Sequence, residues 1–321
     1  MRNRMPGVHS LNTTVAWAKG KRWLWILIRY LLIIGISYVI LYPLIVKFSV
    51  AFMAEQDFQD LTVKWIPRHF TLDNFKNAIE AMNFGKAFTN TAIITVGTTL
   101  LQTIICSAGA YGLVKYRFRG SRILLALIVF SLIVPPQTYM SATYMQFRFF
   151  DLFGLLNGVL GSNGLLNTYF PFFIKSLFGQ GLRNGLYVYL FVQFYRGTPM
   201  ELEEAAQVDG AGPWKTFVRI AFPNARPIVV TLCVISAVWQ WNDVFFAHLL
   251  APQMDLLASN VSNIASMLLG DFNTSFLVEE PARLSAAKNA AAILLSVPLI
   301  VFFAVIQRYF TENLERSGIV G

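Results

Sequence analysis

The sequence predicts an all-α integral membrane protein with six transmembrane helices. Three observations carry that prediction. Of 321 residues, 55% are hydrophobic and 13% charged, with a mean hydropathy of +0.53; a soluble domain carries about 25% charged residues. The apolar residues gather in runs near the ~20 residues needed to cross a ~30 Å hydrocarbon core. The charges fall in short clusters between those runs. The formal net charge of +9 is therefore read as membrane-loop charge rather than as a nucleic-acid surface.

The six runs are Trp23–Phe52, Lys86–Val114, Ile123–Met145, Tyr169–Tyr195, Pro227–Leu250 and Lys288–Arg308. The first is too long for a signal-peptide core and has no small-residue cleavage pattern, so it is a retained helix. Arg2, Arg4, Lys19, Lys21 and Arg22 precede it, and Lys115, Arg117, Arg119 and Arg122 fill the turn after the second run. Basic loops face the cytoplasm, which gives an N-in/C-in chain. The loop with Glu55, Asp57, Asp60, Asp73 and Glu80 then lies outside, and the segment Arg196–Arg226 lies in the cytoplasm. The chain divides accordingly into a cytoplasmic tail (1–22), a first helix with an extracytoplasmic loop (23–85), a core of five helices (86–310) enclosing the loop 196–226, and a C-terminal tail (311–321).

The fourth run is irregular. Asn167-Thr168-Tyr169-Phe170-Pro171 opens it, and Lys175, Gly179, Gly181, Arg183 and Gly185 interrupt it. Two readings stand side by side: a broken helix lining a transport path, or an interfacial segment followed by a shorter span. Cys106 and Cys233 lie in separate apolar runs and read as small thiols without a disulfide or metal role.

The segment from Thr198 to Pro223 is dense in charge, between two apolar runs. Thr198-Pro199-Met200-Glu201 fits a capping box, with Thr198 as N-cap and Pro199 at the first helical position. Glu203 and Glu204 extend acidic charge into the early turns, where the helix dipole favours it. Asp209-Gly210 supplies a glycine stop. Gly212-Pro213 starts a second short helix with Trp214, Phe217 and Ile220 on one face, closed by Pro223. Leu202, Ala205 and Ala206 form a small apolar stripe beside Glu204, suited to close approach by another protein. The acidity excludes a DNA-reading helix pair, and a membrane-surface helix would carry Lys and Arg instead.

Glu204-Ala205-Ala206, three residues, Gly210, nine residues, Ile220, one residue, Phe222-Pro223 resembles the EAA loop of ABC importer permeases, with Phe222 in place of leucine. Pro135-Pro136-Gln137, Leu165–Tyr169, Trp241-Asn242-Asp243 and Gln307-Arg308-Tyr309-Phe310 are similar to the carbohydrate-uptake, MalG-like, binding-protein-dependent branch. The resemblance runs from about Phe75 to the C-terminus and departs from the pattern at Asn157–Gly164 and Ala258–Glu280. It implies a type I ABC importer permease fold with cytoplasmic coupling helices, in which Glu204, Ala205, Ala206 and Gly210 contact an ATPase. The implied partners are two ATP-binding subunits, a second homologous permease subunit and an extracytoplasmic sugar-binding protein.

For the substrate path, Trp239, Asn242, Asp243 and Phe246 share one face of the fifth run at i, i+3, i+4 and i+7. Aromatic faces beside hydrogen-bonding groups suit a sugar. The alternative places Asp243 in packing near the outer interface, with Trp239 and Trp241 as belt residues. Gln137, Tyr139 and Asn167 are further candidates. His9, His69 and His248 make no metal pattern, and neither a P-loop nor a nucleophile elbow is present, so no cofactor is expected. The sequence thus reads as a non-catalytic permease subunit of a sugar importer. A membrane-embedded enzyme acting on lipid-linked sugars through Asp243 and Glu279-Glu280 is the alternative.

Overall fold

The computed structural model describes residues 8–60, 62–63, 66–116, 118–151, 164–199, 201–269 and 281–317, without side chains at 8–20, 59, 202, 269, 281–282 and 308–317. Arg2, Arg4, Arg117, Met200, Glu279-Glu280 and most of Asn157–Gly164 therefore lie outside the described residues. The chain forms two units, Met1–Asn74 and Phe75–Gly321.

In the first unit, α1 (Val8–Ala51) is continuous, and its apolar stretch from Lys21 is exposed over most of its length, with Ser49 and Ala51 buried at its end. It is followed by α2 (Glu55–Gln59) and an isolated antiparallel bridge between Met53 and Phe70. Asp57 pins this loop. Its side chain is 1% exposed and accepts hydrogen bonds from the backbone N–H groups of Arg68 (2.9 Å) and His69 (3.0 Å), with His69 Nδ1 at 2.7 Å. Burial pushes the Asp57 carboxyl upward, and the His69 and Arg68 donors more than offset it, holding it below the ordinary value of 3.8. A depressed carboxyl stabilises the fold above its unfolded pKa, and that contribution is lost as pH falls through the folded one. An acid protease should consequently cut between residues 57 and 70 in the wild type only below the ordinary carboxylate pKa, and in Asp57→Asn above it as well. Equal cleavage of wild type and variant above that pH would contradict the assignment.

The second unit is organised around α4 (Phe84–Lys115), which packs against α7 (Phe170–Leu177), α8 (Asn184–Gly197) and α12 (Arg226–Trp241). Its inward face is polar and small: Asn90, Thr91, Thr95, Thr98, Thr99, Gln102, Thr103 and Ser107 are all buried. In a medium without water, such groups bond between helices. Ser236 donates to Gln102 Oε1 (2.5 Å), Gln102 Nε2 to the Leu182 carbonyl (3.2 Å), and Ser107 and Tyr195 share a 2.7 Å bond. An apolar cluster of Cys106, Tyr111, Phe191, Tyr195, Phe217 and Leu232 fills the space beside it. Cys106 and Cys233 are free thiols, the second only half-buried.

Among the described residues, three helices are long and apolar enough to cross a membrane unbroken: Lys21–Ala51, Phe84–Lys115 and Arg283–Gln307, the last within α15 (Pro281–Ser317). The other three expected runs are each interrupted. The third splits into α5 (Ser121–Phe130), a 3-10 turn at Pro136–Tyr139 and α6 (Met140–Arg148), because Pro135 and Pro136 cannot donate to a helix ladder. The fourth breaks between α7 and α8, where Gly179 and Arg183 have positive φ. Gly185 then lets α8 reach α5, since a Cβ there would stand 2.6 Å from the Ile128 carbonyl oxygen. The fifth run ends as α12 at Trp241 and resumes as α13 (Phe245–Leu250). The remaining helices are α3 (Asp73–Ala81), α14 (Leu257–Leu269) and the short helices of the charged loop.

Candidate functional site

The charged loop folds as two short helical segments. α9 (Glu201–Val208) carries Glu201, Glu203 and Glu204 in its first turn. Its end is a Schellman motif: Ala211 N–H bonds to the Ala206 carbonyl (2.9 Å) and Gly210 N–H to the Gln207 carbonyl (3.0 Å), with Gly210 at φ +79°. The expected capping box is corrected. The helix starts at Glu201, so Pro199 stands outside it, and the Thr198 hydroxyl instead donates back to the Phe194 carbonyl at 3.1 Å.

α10 (Pro213–Thr216) runs into a π turn at Phe217–Ala221 and then α11 (Phe222–Asn224). Pro223 does not close this segment. The chain bends by 77° between Asn224 and Arg226 into α12, just ahead of Pro227, where a residue preceding proline resists helical geometry. The Trp214 and Phe217 rings meet at 5.7 Å, Trp214 on the exposed side and Phe217 buried.

Two adjacent glutamates of α9 face opposite ways. Glu203 is buried, its Oε2 accepting from the Tyr111 hydroxyl (2.9 Å) and pairing with Lys115 Nζ (2.7 Å). Ala206 is also turned inward, while Glu204, Ala205 and Gly210 are exposed. The stripe read as Leu202, Ala205 and Ala206 is thus divided, with the Leu202 side chain outside the described residues. Val208 is 88% exposed and Trp214, on the second helical segment, 69% exposed; the sequence reading passed over the first and placed the second on one face with Phe217 and Ile220. The signal for Val208 was positional: it lies one turn beyond Glu204, on the same side of α9.

The second feature is a cavity of about 420 Å³ lined by Pro135, Pro136, Tyr139, Arg183 and all four path candidates, Trp239, Asn242, Asp243 and Phe246. That size falls within the range of small-molecule sites. The four residues do not share one helix face, because α12 ends before Asn242; the break brings them together instead. Asp243 Oδ1 accepts from the Phe246 N–H (3.2 Å) and so holds the start of α13. Trp241 is buried, its Nε1 donating to the Leu295 carbonyl (3.0 Å), so it is a packing residue and not a belt residue.

Arg183 and Lys175 were legible only as interruptions of an apolar run. The Arg183 guanidinium lies 4.2 Å from the centre of the Trp239 ring, and Lys175 Nζ, buried, 3.3 Å from that of Phe246. Tyr139 reaches the cavity; Gln137 does not line it. Asn167 serves a turn, its Oδ1 accepting from the Gln253 N–H at 2.8 Å.

Apolar helices around a polar-edged cavity, with a folded charged loop at one end of the packed unit, define a membrane-embedded transport component. The chain belongs to the family of binding-protein-dependent transport system inner membrane components, whose model matches residues 102–316. It is 32% identical over 264 residues to the melibiose/raffinose/stachyose import permease protein MelC of Bacillus subtilis, covering 82% of this chain and 86% of that one. It is 27% identical to the maltodextrin transport system permease protein MdxG of the same organism, covering 91% and 95%. The fold matches a chain of a bacterial ABC transporter involved in the import of the acidic polysaccharide alginate, with TM-score 0.69, 21% identity, and 90% and 98% of the two chains covered. The family is a transporter component of the bacterial inner membrane, so the enzyme alternative is set aside.

Proposed function

We propose that this chain is one of two homologous permease subunits in an ATP-driven, binding-protein-dependent importer of a mono- or oligosaccharide. It crosses the membrane six times with both termini in the cytoplasm, three of the passages being broken helices. Two ATP-binding subunits dock on the loop 196–226, and an extracytoplasmic sugar-binding protein delivers the substrate.

The observation that carries this reading is the outward face of α9. Glu204, Ala205, Val208 and Gly210 are exposed together, on a helix whose opposite side is fixed to the packed unit by Glu203. An exposed valine one turn from an exposed acid makes a surface suited to another protein. The cavity at Trp239, Asn242, Asp243 and Phe246 is the sugar's passage, since ring faces and polar groups converge there.

The test is uptake by the full complex, copurified through this chain and reconstituted in proteoliposomes with its binding protein. Raffinose, trehalose and maltotriose form the panel. ATP-dependent uptake of at least one of them is expected, and uptake of none, with the complex intact and hydrolysing ATP, would overturn the sugar assignment.

A further inference from the structure

We infer that Glu203, which no part of the EAA spacing includes, is the positioning residue that joins the docking helix to the membrane core. The inference rests on the coupling role proposed above for the loop. Glu203 is 8% exposed, and one oxygen, Oε2, takes both the Tyr111 hydroxyl at 2.9 Å and Lys115 Nζ at 2.7 Å. Tyr111 and Lys115 are one turn apart on α4, at its C-terminal end. The carboxylate is therefore a two-point attachment of α9 to the central helix of the second unit.

The attachment is continuous with the aromatic packing around it. Tyr111 meets the Tyr195 ring edge-on at 5.5 Å and the Phe217 ring at 5.3 Å. Thus α4, α8, α9 and the π turn meet at one tyrosine. A push on the exposed face of α9 passes to α4 through a charged, hydrogen-bonded contact of low exposure, which resists slippage better than an exposed pair. Lys115, which reads in the sequence as one more basic loop residue, has a side chain only 14% exposed and a specific partner.

Glu204 and Glu203 consequently have different tasks: the first meets the partner and the second transmits what the partner does. The experiment measures ATP hydrolysed per sugar imported by the reconstituted full complex, using whichever panel sugar the wild type takes up. Glu203→Gln and Lys115→Met should each raise this ratio about five- to tenfold, at the lower end of coupling between linked sites. The exchange Glu203→Lys with Lys115→Glu should return it to within about twofold of wild type, a rescue that the same pairing geometry predicts.

A wild-type ratio in Glu203→Gln, with a raised ratio in Glu204→Lys, would overturn the inference and leave the docking proposal standing. A wild-type ratio in both would remove the docking proposal and this inference with it. If Glu203→Gln does not assemble, the exchange decides: an assembled exchange variant that stays uncoupled overturns the inference.

Discussion

Gly210→Pro is expected to abolish ATP-coupled uptake, by about a hundredfold or more, while leaving membrane insertion and span packing unchanged. Gly210 sits at φ +79°, and proline is fixed near −65°. The substitution also deletes the N–H that bonds to the Gln207 carbonyl. The Schellman end of α9 cannot form, and the outward face loses its register with the second helical segment. A local cost of about 3 kcal/mol or more corresponds to that factor, each 1.4 kcal/mol being tenfold. Gly210→Ala separates conformation from bulk. A Cβ there meets no atom within 4 Å, so only the left-handed strain of ~1–2 kcal/mol remains and uptake should fall modestly. Glu204→Lys reverses the charge without a backbone constraint and should reduce coupled uptake by at least about thirtyfold, as loss of one partner from an interfacial ion pair does. Uptake at the wild-type rate in Gly210→Pro or Glu204→Lys, measured in proteoliposomes, would remove the docking role from this loop.

The second large effect is expected at the helix break of the fifth passage. Asp243 has two tasks, accepting the Phe246 N–H and facing the cavity. Asparagine keeps the acceptor and removes the charge, whereas alanine removes both. If Asp243 meets the sugar, both variants lower uptake, and alanine lowers it further by the loss of a cap, about 0.5–2 kcal/mol. If its task is confined to holding α13, Asp243→Asn transports normally. Trp239→Ala removes the ring beneath Arg183 and should cost roughly 1–2 kcal/mol of substrate binding, or about five- to thirtyfold in KM. ATPase attachment should be unaffected in all three. Unchanged uptake kinetics in Asp243→Ala would return the residue to packing alone.

What the sequence made legible were features with local causes. The glycine stop at Gly210 needs only a left-handed residue after a helical run, and it is where the spacing placed it. The gap in the fourth run follows from its glycines and charges. The split of the third run also has a local cause in Pro135-Pro136, yet a hydropathy reading joined Ile123–Met145 as one helix because the apolar side chains continue across the break.

Other features depend on tertiary partners. Nothing in Glu203-Glu204 says which acid turns inward, since both suit the first turn of a helix; Tyr111 and Lys115, some ninety residues earlier, decide it. The capping box failed because the Thr198 hydroxyl has a nearer acceptor in the preceding helix, at Phe194. The four path residues were grouped by a helical period that the chain abandons at Asn242. They meet in space because Asp243 starts a new helix, a role that periodicity cannot show.

On the function proposed above, the loop between α8 and α12 ties sugar movement to ATP hydrolysis on partner subunits. The decisive measurement is accumulation of the panel sugars by the reconstituted complex, with and without hydrolysable ATP. Accumulation above the external concentration is expected only when ATP, both ATP-binding subunits and the sugar-binding protein are present. Accumulation without ATP, or by a complex lacking those subunits, would contradict the proposed function.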